Sequence, residues 1–203
     1  MLTQLSTLKS RLAIDQANPQ YDDLLTSAIK SLSARFDKET NRTLARTENA
    51  TFEFGPRDTE LSPPCYPIES VTKFETKSSE ATGWQEISPA PDFLLRSSRI
   101  ISLAAPLNPQ LSPLNPQLAR VTCTGGYLLP GSPPPDPPVA ACQGLPDDLE
   151  QAAVEQIAYW FQNRERLGLK TFWPSGDAYR QFATQDLLDS VKAVLNNHRR
   201  CSL

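Results

Sequence analysis

Residues 120–130 read RVTCTGGYLLP, and the meaning of the glycine pair Gly125-Gly126 decides the fold. A β-branched run (Val121, Thr122, Thr124) meets two glycines, as it would ahead of a phosphate-cradling loop. A P-loop places a lysine and a hydroxyl residue directly after its last glycine, whereas Tyr127, Leu128, Leu129 and Pro130 follow here. A dinucleotide-binding turn opens a helix at its glycines, but the next helical pattern begins only at Asp147, beyond a proline-dense stretch. The pair therefore reads as a turn where the chain leaves the last strand of a β module.

Upstream of that turn the pattern is β. Thr51 to Phe54 alternates, and residues 68–76 are rich in β-branched side chains. Residues 84–87, 93–95, 100–103 and 118–124 are further short apolar runs separated by turn residues. Such spacing predicts an antiparallel β module over 50–128. Inside it LNPQLSP (107–113) is echoed by LNPQLAR (114–120), read as a decorated loop. Downstream, residues 129–146 are proline-dense and read as a stiff extended connector.

Both ends of the chain read as helix. Leu2, Leu5, Leu8 and Leu12 predict a short amphipathic helix over 2–14. Asn18-Pro19 then caps a second helix running to about Asn41, with Tyr21, Leu24, Leu25, Ala28, Ile29, Leu32 and Phe36 on one face. Asp147 and Glu150 suggest a capping box opening a third helix with Leu149, Ala153, Ile157, Trp160 and Phe161 inward, ended by Gly168. Thr184 caps a last helix carrying Leu187, Leu188, Val191, Val194 and Leu195, before a polar tail over 198–203. Seventeen of the 19 prolines lie between Pro56 and Pro146, which agrees with helical ends around a middle of strands and loops. The fold class expected is α+β: a small helical bundle from residues 1–49 and 147–197 with the β module inserted. The two helical ends need each other to bury their stripes, so a single domain of 1–203 is expected.

Composition restricts function. The net charge of −3 opposes tight gripping of nucleic acid through phosphates. No run of about 18 apolar residues suggests a membrane span, and the N-terminus has no apolar signal-peptide core. Cys65, Cys123, Cys142 and Cys201 are far apart with no paired spacing, so they read as ordinary thiols in a reducing cytoplasm rather than zinc ligands. The lone histidine, His198, lies near the chain end, where a cation at a helix C-terminus is its simplest role. Asp22-Asp23 and Asp147-Asp148 both open helices, where the helix dipole accounts for them. Trp160, Phe161, Phe172 and Trp173 read as core aromatics. No catalytic, cofactor or metal site is expected. A soluble metal-dependent hydrolase or nuclease is the alternative from another class, and a DNA-binding transcription factor lacks its basic recognition helix.

Taken in order, YDDLLTSAIKSLSARFDKETNR, YPIESVTKFE, GWQEI, DFLLRSSRIISL, RVTCTGGY and LPDDLEQAAVEQIAYWFQNRE resemble the head-tail connector (adaptor, or head-completion) family of long-tailed bacteriophages. The resemblance covers residues 1–166. It departs from the family pattern at Cys123, where an aromatic is usual, and in the long proline-rich link. It implies a structural virion protein forming a ring, typically of twelve copies, below the portal at the capsid vertex. Such a ring extends the DNA channel, helps retain the packaged genome and presents a docking surface for the next neck protein or the tail; another neck or tail-completion component is the nearest alternative. The partners implied are the portal ring, neighbouring copies, that next protein and passing double-stranded DNA that is not gripped, with assembly in the host cytoplasm. By position, the resemblance assigns portal docking to Leu195, His198, Arg199, Arg200 and Leu203.

Overall fold

The computed structural model describes residues 1–107, 118–135, 141–165, 167 and 186–200. The chain divides into two compact units, Met1–Thr40 with Leu145–His198, and Asn41–Gly144 with Arg199–Leu203. Mixed α+β architecture is what the periodicities predict. The change of unit falls at residue 41, so the stretch 41–49 joins the strands and not the helices. Asn41 has a positive φ of 52°, which ends the helix, and Thr43 N–H then donates to the Pro64 carbonyl.

In the first unit, α1 (Leu5–Arg11) and α2 (Asp22–Thr40) are joined by α3 (Asp147–Gln162) and α4 (Asp189–Asn197). Leu25, Ile29, Leu32 and Phe36 recur at three- and four-residue steps and are fully buried, as the stripe predicts. Leu24 lies at the edge of that stripe and is exposed. From the other side come Leu149, Ala153 and Ile157 of α3, with Leu187, Val191 and Leu195 at α4.

Three helix boundaries differ from expectation. Helix α1 stops at Arg11 because Ala13 takes a positive φ of 55° and Ile14 N–H donates back to the Lys9 carbonyl at 2.9 Å. The buried Lys9 ammonium then holds the following turn through the carbonyls of Gln16 and Asn18, at 3.1 and 2.8 Å, and Asp22 at 2.5 Å. Helix α2 starts at Asp22 because Asn18 Oδ1 accepts from Gln20 N–H and folds residues 18–20 into a turn of their own. At α3 no capping box forms: Pro146 is the cap residue, its carbonyl accepting from Leu149 and Glu150 N–H. Glu150 instead accepts a hydrogen bond from Thr3 Oγ1. The expected stop at Gly168 and cap at Thr184 lie outside the described residues. The helix itself ends six residues earlier at Gln162, where Asn163 Nδ2 donates to the Tyr159 carbonyl.

The second unit holds β1 (Thr47–Phe54), β2 (Glu60–Leu61), β3 (Ile68–Lys77), β4 (Gln85–Glu86), β5 (Phe93–Arg96), β6 (Ile100–Leu103), β7 (Leu118–Gly125), β8 (Tyr127–Leu128) and β9 (Gln143–Gly144). They form a four-stranded sheet β1-β7-β3-β4, a three-stranded sheet β2-β6-β5 and a pair β8-β9. The two larger sheets are antiparallel as expected, while β8 and β9 pair in parallel. Through β9 the end of the proline-rich connector is tied back to the residues just after the glycine pair. Phe54, Phe74, Val121 and Cys123 meet Leu61, Ile101 and Leu103 in one core between the larger sheets.

Candidate functional site

The glycine pair is built for close backbone approach. A Cβ on Gly125 would stand 2.1 Å from the Cys65 carbonyl oxygen and 2.6 Å from that of Pro67. Gly126 has φ +103°, and a Cβ there would stand 2.6 Å from the Ala45 carbonyl oxygen. Gly126 N–H donates to Pro67 and Tyr127 N–H to Leu44, at 2.9 and 2.8 Å. The amides that a phosphate would need therefore already serve protein carbonyls. Gly125 closes β7 and Gly126 turns the chain into β8, so the pair is a structural turn as its sequence context predicts.

Beside the pair stand two features the sequence reading missed. Cys65 and Cys123, 58 residues apart, bring their sulfurs to 3.5 Å in the core. Their shared hydrogen bond and burial push the Cys123 thiol up, so it stays protonated at neutral pH. Arg42 is 3% exposed, donates from its guanidinium to the Tyr66 carbonyl, and stacks 3.5 Å from the Tyr66 ring centroid and 5.2 Å from that of Tyr127. No spacing signal announces either contact.

A third is the carboxylate of Glu75, on β3. It is 5% exposed and accepts from Arg120 at 2.7 and 3.1 Å and from Lys73 at 3.1 Å. The Arg120 hydrogen bond, ahead of Lys73, holds Glu75 below the usual glutamate range, while Arg120 also lies 4.3 Å over the Trp84 ring. A folded pKa below the unfolded one means stability present at neutral pH and lost as pH falls through the depressed value. The unfolding midpoint of the wild-type chain is therefore expected to fall on acidification below the usual glutamate range. Glu75→Gln should cost about 2–4 kcal/mol at pH 7 and flatten that acid slope, measured by urea unfolding across pH. An unchanged slope would remove Glu75 from the acid response.

The paired carboxylates do different structural jobs. Asp22 meets Lys9, whereas Asp148 accepts from Leu149 N–H and from the His198 ring at 2.8 Å. Among the described residues no group of three or more His, Cys, Asp or Glu is placed to hold a metal ion, and no helix is long and apolar enough to cross a membrane. Trp160 and Phe161 line an apolar cavity of about 130 Å3 with Leu24, Leu25, Ala28 and Ile157, and Phe161 meets Tyr21 edge-on at 5.1 Å. Phe172 and Trp173 lie outside the described residues.

The C-terminal residues assigned to docking are dispersed. Leu195 is 3% exposed in the helical core, and His198, just past α4, is held by Asp148. Just before α4, Asp186 is held down to about 2 by hydrogen bonds from Lys192 and Leu187 N–H. Arg199 is exposed. Arg200 belongs to the β unit, 5.2 Å over the Phe52 ring, and lines a cleft of about 180 Å3 with Glu53, Asp58 and Glu60. Leu203 lies outside the described residues.

No family model matches the chain, and no curated protein matches it in sequence. Solved structures do match its fold. One is a chain in the neck of an empty gene transfer agent (GTA) particle computed with C6 symmetry, at TM-score 0.60 and 14% identity over 100% of this chain and 91% of that one. A chain of the native GTA virion matches at TM-score 0.55 and 15% identity, again over 100% and 91%. A third, from the native GTA neck computed with C12 symmetry, matches at TM-score 0.53 and 16% identity over 98% and 89%. This chain therefore shares its fold with these gene transfer agent chains.

Proposed function

We propose that this protein is a structural, non-enzymatic component of the neck of a phage-like particle, an adaptor whose two units act together as one connector domain. The observation that carries the reading is the fold match over the whole length of the chain to neck chains. Copies form a ring, in keeping with the C12 symmetry of one matched neck. The ring sits below the portal at the capsid vertex, continues the DNA channel, helps retain the genome and offers a surface to the next neck protein or tail. The chain joins the particle in the host cytoplasm.

The physical features support such a role. Each phosphate neutralised by a protein cation adds salt-dependent affinity, and a channel that gripped DNA in this way would slow its passage. A net charge of −3 suits a collar through which DNA moves. Portal docking is proposed for the C-terminal stretch, with Arg199 and Arg200 as polar contacts and Leu203 as an apolar one. His198 and Leu195 act there by holding the end of α4 in place, since one is tied to Asp148 and the other is buried.

Electron microscopy of particles made without this gene tests the proposal. Heads without tails, many emptied of DNA, are expected. Complete infectious particles would overturn it.

A further inference from the structure

The three-stranded sheet ends on β5, and no strand among the described residues pairs with its outer side. The direction of its backbone groups follows from one bond. Ala104 N–H donates to the Asp92 carbonyl at 3.0 Å, and the register pairs Leu94 with Ser102 and Arg96 with Ile100. Hydrogen-bonded pairs alternate along an antiparallel ladder, so Asp92, Leu94 and Arg96 face β6 with their main-chain groups. The N–H and C=O of Phe93 and Leu95 therefore point away from β6, to the open side. The same phase appears across β6, where Leu103 N–H, opposite Phe93, points the other way and donates to the Thr59 carbonyl at 2.8 Å.

Among the described residues no strand covers this edge. Open edges in soluble proteins usually carry lysine, proline or a bulge, because unpaired main-chain groups recruit another strand. Here the strand is Phe93-Leu94-Leu95-Arg96, with Leu94 73% and Leu95 39% exposed. Arg96, its last residue, is exposed and bonds Glu60 of the same chain at 2.6 Å, and exposed Arg99 follows in the turn. In the four-stranded sheet the eight-residue β1 is an outer strand with no other strand paired on its far side among the described residues, and its character differs. Its exposed residues include Glu48, Asn49, Thr51 and Glu53. One edge is apolar and basic, the other polar and acidic.

A ring closed by rotation joins two different surfaces of neighbouring copies, head to tail. We infer that the β5 edge of one copy pairs with the β1 edge of the next, main chain to main chain. The contact covers Leu94 and Leu95 and sets Arg99, in the turn after β5, against the acidic β1 edge. This inference rests on the ring reading above and adds to it the surface by which copies meet.

Two variants test it. Leu95→Pro deletes an outward N–H and leaves the β6 ladder untouched, a position where edge strands accept proline. Leu94→Glu places a charge at the covered centre of the contact. Particles lacking the gene would be complemented with wild type or with either variant, their necks imaged and the copies of this chain per particle counted. Circular dichroism and thermal melting of the purified chains report on folding. Both variants are expected to fold as wild type while copies per particle fall by about tenfold or more, as expected when an interface keeps an unpaired or like-charged group. A folded variant that still builds a full ring overturns the edge pairing and leaves the neck reading intact. Wild-type chain absent from purified particles overturns the neck reading, and the pairing with it.

Discussion

Gly125→Ala is expected to unfold the β unit, at a cost above about 4 kcal/mol, because a Cβ has nowhere to go. Its nearest neighbours would be main-chain oxygens at 2.1 and 2.6 Å, which cannot rotate aside as a side chain would. Relief requires the loop around Cys65–Pro67 to move away from the end of β7. That motion would break the Gly126 N–H bond to Pro67 and separate the Cys65 and Cys123 sulfurs. Gly126→Ala should also be severely destabilising, since it adds a left-handed backbone to a 2.6 Å approach. Gly144 supplies the control: nothing lies within 4 Å of its would-be Cβ, so Gly144→Ala should stay within about 1 kcal/mol of wild type. Urea unfolding of the three variants settles the matter. A Gly125→Ala chain as stable as Gly144→Ala would show that the close approach is not what selects glycine.

Replacing Arg42 is expected to have the second largest effect. Its guanidinium is buried, donates to a main-chain carbonyl and lies between the Tyr66 and Tyr127 rings. Arg42→Ala leaves the Tyr66 carbonyl without that donor and opens a void between two aromatic rings. The expected cost is about 3–5 kcal/mol, the range for breaking a buried charged contact from one side. Arg42→Lys should recover less than half of that loss, about 1–2 kcal/mol, because an ammonium is compact and cannot stack as a plane on Tyr66. Thermal melting with tyrosine near-ultraviolet dichroism reads both the stability and the ring environment. Full rescue by lysine would mean that charge alone, without planar stacking, accounts for the residue.

Helix α2 shows what periodicity conveys well: each of Leu25, Ile29, Leu32 and Phe36 lands in the core because steps of three and four residues share one helical face. Strand β6 was equally legible, Ile100–Leu103 matching the apolar run residue for residue. The capping pattern at Asp147 misled for a physical reason. Glu150 had a choice of partners, and Thr3, 147 residues away, offered a hydroxyl where the helix start offered a backbone amide. Lys9 carried no signal at all, since a lysine on a short helix usually points to water. Here the turn at 16–18 folds two carbonyls and Asp22 around its ammonium. The docking surface was the least legible part. A C-terminal tail of mixed polarity does not reveal that Leu195 is in the core, that His198 is tied to Asp148, or that Arg200 packs on Phe52.

By itself the sequence determined the class and order of the longer elements, though not the short strands β2, β8 and β9, and the rejection of a nucleotide site at Gly125-Gly126. All three depend on neighbours within a few residues: a face repeated every turn, a strand alternating by two, a lysine absent after a glycine. Only the tertiary structure decided the parallel β8–β9 pair that ties down the connector, the Cys65–Cys123 approach, the Glu75–Arg120 bridge and the outward phase of Phe93 and Leu95. Strand register is set when distant segments compete to bury the same core, and a shift by one residue exchanges every inward side chain for an outward one. That competition is invisible in a local window, which is why the elements could be read from the chain and their partners could not.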